Sequence, residues 1–172
     1  MNLQSPPAGT RRHTQATAVL PRTVTVNAAF LRDIKDDNVQ LKRLMDRWKP
    51  VLDHPQVLLN HLEELPELMS QLTDQFAFHF SLEEAYGYFE DAVQVDERLC
   101  RKASELRNQH SELFEAFREL AEESAQLHLG SDSARDDFRD RASHWLRLFE
   151  LHEEAELEVI LESFDDDLGE GD

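Results

Sequence analysis

Apolar residues recur at alternating steps of three and four along four separate stretches of this 172-residue chain. That spacing keeps one face of an α-helix apolar in each stretch. The first helix is expected to begin near Asn27, a plausible N-cap, and to run to about Trp48 before Pro50 stops it. Its inward stripe is Leu31, Ile34, Asn38, Leu41, Met45 and Trp48. The second starts after Pro55, or is capped again near Pro66 and kinked there if continuous, with Leu65, Met69, Leu72, Phe76, His79 and Glu83 inward. The third covers roughly 96–128, through Leu99, Leu106, His110, Leu113 and Phe117, until "GSDS" breaks it. The fourth runs from about 133 to 164 with Phe138, Trp145, Leu148, His152, Glu156 and Val159 inward.

Only five glycines occur in the chain, and strand-like alternation is confined to "TVTV" at 23–26. The expected fold is therefore all-α, an antiparallel up-down-up-down four-helix bundle over residues 27–164. A mobile N-terminal tail (1–26), without an acidic residue, and an acidic C-terminal tail (165–172) are expected to flank it.

With 36 acidic against 18 basic residues the formal net charge is −18. Such a surface repels nucleic acid and anionic lipid headgroups, so neither is an expected partner. No apolar run is long enough to cross a bilayer, and the first residues lack the apolar core of a secretory signal. A soluble, cytoplasmic protein is expected. The single cysteine, Cys100, excludes an intramolecular disulfide framework and is expected to be a buried small residue.

The stretch "QFAFHFSLEEAYGYFE" (75–90) is among the most apolar in the chain, yet His79 and Glu83 sit inside it. Each of the other stripes is interrupted at the same level: Asn38 in the first, His110 in the third, His152 and Glu156 in the fourth. Residues four apart lie about 40° apart around a helix and about 6 Å along it, so each His-x-x-x-Glu directs an imidazole and a carboxylate to one point. Buried carboxylates cost several kcal/mol each without a compensating cation. A metal would remove that cost. Nitrogen with carboxylate oxygen and no thiolate in register suits iron or manganese and, less selectively, zinc. Bridging carboxylates favour two metals over one. The remaining histidines, His13, His54, His61, His128 and His144, fall outside the layer and are expected at the surface.

This pattern resembles the hemerythrin-like family, in its His-His-Glu cation-binding branch, over about residues 28–164. "HFSLEE" (79–84) is similar to the family's second-helix motif, "NQHSELF" (109–114) to its third-helix histidine followed by leucine, and "HEEAE" (152–156) to its fourth-helix His-x-x-x-Glu. The resemblance implies a non-haem di-iron site with His79, His110 and His152 as terminal ligands and Glu83 and Glu156 as bridging carboxylates. Three positions depart from it. The oxygen-carrying members have a histidine where this chain has Phe114 and an aspartate where it has Leu157. The first-helix histidine is replaced by Asn38, which leaves that amide, or Asp37 if the helix rotates, as the first-helix contributor and one metal position short of a ligand. A single-metal or asymmetric site is then an alternative to two irons.

The expected function is binding of, or response to, oxygen, peroxide or nitric oxide at iron, or iron buffering, with an apolar wall of Phe76, Phe80, Phe114, Phe117 and Trp145 enclosing a dry pocket. A di-iron peroxidase or oxidase is one alternative. Another is a metal-free acidic interaction module. No residue pattern points to a protein partner.

Overall fold

The computed structural model describes residues 28–86 and 97–169, with side chains over 35–84 and 97–162. All regular structure among them is helical: α1 (Ala28–Asp53), α2 (Pro55–Asn60), α3 (Leu65–Tyr86), α4 (Glu97–Ser124), a 3-10 turn (Leu127–Leu129) and α5 (Asp132–Gly169). "TVTV" and the expected N-terminal tail, residues 87–96 with Tyr88 and Phe89, and the last three residues lie outside the described part. No described helix is long and apolar enough to cross a membrane.

Pro50 does not end α1. A proline lacks the N–H that would bond four residues back and crowds that carbonyl. Here it sits on the exposed side near the end of the helix, while its own carbonyl accepts from His54 N at 3.2 Å. The extra turn buries Val51 and Leu52. Arg139 of α5 reaches back to donate from Nε and Nη2 to the Leu52 carbonyl, at 3.0 and 2.7 Å, and so satisfies one orphan acceptor at the helix end.

Pro55 and Pro66 each lie in a first turn, where a missing N–H costs nothing, so the expected second helix is two helices separated by the turn at 61–64. Gly130 ends the 3-10 turn, and Ser131 Oγ accepts from Ala134 N at 3.2 Å as the cap of α5. The final helix continues past residue 164 to Gly169, because the aspartates at 165–167 do not break it.

α1 packs on α2, α3 and α5, α3 on α4, and α4 on α5. Contacts between the long helices run in opposite sequence order. Phe76 meets Phe117 whereas Phe80 meets His110, and Trp145 meets Leu113 whereas Lys102 meets Glu162. Two apolar clusters result. The larger centres on Trp48, Phe76, Phe117 and Trp145, with Trp145 Nε1 donating to the Leu113 carbonyl at 2.8 Å. The smaller, among the described residues, consists of Leu99, Ala103, Leu106 and Val159.

Two expectations, for Leu148 and Cys100, fail on rotation about a helix axis. α5 turns Trp145, Phe149, His152, Glu156 and Val159 inward, in steps of four and three, which leaves Leu148 44 % exposed. Phe78, one position before His79, is 48 % exposed. Cys100, next to the buried Leu99, is exposed rather than buried.

Candidate metal centre

On both α4 and α5 a polar interval separates the two apolar clusters. His110 lies between Leu106 and Leu113, and His152 and Glu156 lie between Phe149 and Val159. α3 supplies His79 and Glu83 to the same level, one turn apart, with Nε2 and Oε1 3.2 Å from each other. His79, His110, His152 and Glu156 are all buried, and the Glu83 side chain is 12 % exposed. The five residues expected from spacing do converge.

All three imidazoles are oriented in the same way. His79 Nδ1 lies 2.8 Å from Asp37 Oδ2, His110 Nδ1 3.2 Å from Glu84 Oε1, and His152 Nδ1 3.1 Å from Gln109 Oε1. With Nδ1–H donated outward, each Nε2 faces the carboxylates in the middle. Outer acceptors of this kind fix the tautomer and ring direction of metal-ligating histidines. His110 Nε2 is 3.2 Å from Glu156 Oε1 and 3.5 Å from Glu83 Oε2, and His152 Nε2 is 3.2 Å from Glu156 Oε1.

Distance alone does not satisfy these atoms. His152 Nε2 and Glu83 Oε2 are buried and make no hydrogen bond. A buried polar atom left in this state costs about 1–3 kcal/mol. One donor-poor carboxylate oxygen and one imidazole nitrogen aimed at the same space are what a cation would satisfy. Glu83, His110, His152 and Glu156 each offer a ligand atom within 4.8 Å of the others, and His79, Glu83 and Glu153 form a second such group. An ion about 2.1 Å from its ligands would hold them within roughly 4.2 Å of one another, so the closure required is small. Glu83 belongs to both groups. The buried His/Glu cluster could therefore hold a metal ion.

Its protonation reflects the crowding of acids. Burial, reinforced by the charges of Glu156 and Glu153, raises Glu83 to about 9 despite the opposing charge of His79. Burial also works against ionised Glu156, but the imidazoles of His110 and His152, each with Nε2 3.2 Å from Glu156 Oε1, outweigh it and hold Glu156 down at about 2. Burial lowers His79, yet its hydrogen bonds to Asp37 and Glu153 prevail and lift it to about 11. Protons on Glu83 and His79 stand where positive charge is favoured.

No family model, curated protein or solved structure matches the chain.

The first-helix contributor is corrected by one residue. Asn38 is exposed, whereas Asp37 is 4 % exposed, accepts from Gln75 Nε2 at 2.6 Å and from His79, and so acts through His79. Leu41 is the reason for the ambiguity, since a step of three leads back to Asn38 and a step of four to Asp37. Glu153 was missed. It follows His152 directly, about 100° around the helix from it, so spacing assigns it to another face. Its side chain nevertheless reaches His79 Nε2 at 2.9 Å. The doubled acid in "HEEAE" was the available signal.

Of the expected apolar wall Phe80 reaches the cluster histidines, joined on that side by Phe149, which was not among the expected residues. Phe80 stacks on His110 with centroids 4.7 Å apart, and Phe149 meets His79 edge-on at 5.9 Å. On the other side lies a cavity of about 410 Å³ lined by carboxylates with Leu82, Leu157 and Ile160, and none of the five expected aromatic residues lines it. His54, His61, His128 and His144 are exposed, as expected, and His13 lies outside the described residues.

Proposed function

We propose that this chain is a non-haem iron protein, with two irons held in a hemerythrin-like, up-down-up-down four-helix bundle, that binds or responds to oxygen, peroxide or nitric oxide or buffers iron. One observation carries the metal reading: three histidines on three helices turn Nε2 toward shared carboxylates, and His152 Nε2 and Glu83 Oε2 have no hydrogen-bond partner there. Iron is favoured over zinc by the donor set, imidazole nitrogen with carboxylate oxygen and no thiolate, although manganese fits the same donors. Bound iron would supply open coordination positions and reversible one-electron chemistry. The protein's part is to orient the ligands through Asp37, Glu84 and Gln109 and to cover them with Phe80 and Phe149.

Chain expressed in iron-supplemented medium is expected to carry between one and two irons by elemental analysis, with near-ultraviolet absorption of ferric iron after exposure to air. Purification with none of iron, manganese or zinc, and no uptake on reconstitution, would favour the metal-free acidic module. The observation on that side is His79, whose two ring nitrogens already have carboxylate partners.

A further inference from the structure

The two ligand groups that share Glu83 have unequal surroundings. The inner group draws two imidazoles and two carboxylates from three helices, and His110, His152 and Glu156 are each at most 6 % exposed. The outer group has one imidazole, His79, and two carboxylates, of which Glu153 is 37 % exposed at its side chain. The cavity of about 410 Å³ has all three outer ligands, His79, Glu83 and Glu153, in its wall, whereas of the inner group the shared Glu83 and Glu156 line it and the two imidazoles, His110 and His152, do not. It reaches the surface, since the exposed Asn38, Glu154 and Leu157 also line it. Of the buried side-chain atoms without a hydrogen bond among the described residues, Trp48 Nε1 lies in the apolar cluster, while His152 Nε2 and Glu83 Oε2 lie in the inner group, the shared Glu83 turning Oε1 to His79 and Oε2 toward His110.

From these differences we infer that the centre loads unequally: the inner position binds a divalent cation first and tightly, and the outer position, with Glu153 as its third protein ligand, takes an exchangeable second cation through the cavity. This rests on the metal reading above. Four enclosed ligands with two unsatisfied atoms gain most from an ion, and enclosure slows its escape. Three ligands, one of them the half-buried Glu153, gain less and leave coordination positions facing the cavity. The second position is thus where ions and small oxygen-donor ligands exchange, while the first is a structural and electrostatic anchor for it.

Cobalt(II) titration of the chelator-stripped full chain, followed by visible absorption and calorimetry, tests this. The expected result is two phases, with the second ion at least about tenfold weaker than the first, a difference of the size that ligand-shell changes produce. The second ion should also leave first on dialysis against a chelator. Glu153→Ala and the shape-preserving Glu153→Gln should each keep the first phase and lose the second, with unchanged circular dichroism. Two equal phases, retention of two ions by both variants, or loss of the first phase in both would overturn the inference. A wild-type chain that binds one ion only overturns it and leaves the metal reading standing; one that binds none overturns both.

Discussion

His79, Glu83 and Glu156 tie the cluster to pH in opposite senses. A group raised on folding contributes stability below its unfolded value that is lost as pH climbs through the folded one. His79, ordinarily 6.5 and raised to about 11, and Glu83, ordinarily 4.5 and raised to about 9, both behave so. Glu156, lowered to about 2, contributes above 4.5 and loses that contribution as pH falls toward 2. The metal-depleted chain is therefore expected to melt at lower temperature as buffer pH is raised from about 5 to about 9. Metal uptake expels the same protons, so apparent affinity should rise over that interval. A melting temperature that climbs with pH in the stripped chain would contradict the assigned protonation. The one-residue correction at α1 gives a second expectation: Asp37→Ala should weaken metal binding about 10–100-fold by freeing His79 Nδ1, and Asn38→Ala should leave it unchanged, as read by the same cobalt titration. His79, Glu83, His110, His152 and Glu156 were legible because helical period alone puts i and i+4 on one face. Asp37 was legible only as the alternative to Asn38, because the choice depends on the absolute rotation of α1, and Glu153 was not legible, because its part depends on the reach of a long side chain; period encodes neither.

The helices were legible as elements and less so at their ends. Apolar spacing marks α1, α3, α4 and α5, and Ser131 and Gly130 mark the start of α5. Pro50 misleads because the cost of an internal proline is local, and burial of Val51 and Leu52 beyond it, with Arg139 on the Leu52 carbonyl, offsets that cost. Both partners of that hydrogen bond are 87 residues apart in sequence, so no local pattern reveals it. Arg139→Ala leaves the carbonyl without its charged donor and is expected to lower stability by about 1.5–3 kcal/mol in urea denaturation, with the m-value unchanged. Because the arginine lies far along α5 from His152, metal content should not change. Loss of metal from this variant would show that the end of α1 and the cluster are coupled.

At the scale of the whole molecule, a metal held by the cluster would join three helices at one level, so that ligand loss would be felt as stability. His152→Ala should lower metal content, and with it the stabilisation that a ligand at about 100 times its Kd supplies, roughly 2.7 kcal/mol. His61→Ala, on an exposed histidine whose ring pairs with Glu64 three residues on, should change neither metal content nor melting temperature. Equal effects from the two would remove the basis for the layer. The polar interval also divides the apolar interior of the described residues, with Leu99, Ala103, Leu106 and Val159 buried beyond it. A cation held by Glu83, His110, His152 and Glu156 would tie these segments of α4 and α5 to α3 and raise the free energy at which they open locally. Backbone amides at 99–106 and 155–160 should accordingly exchange with deuterium more slowly once metal is added to the stripped chain. Occupancy of the centre would then be readable at a distance, as the fraction of time for which one end of the molecule is closed.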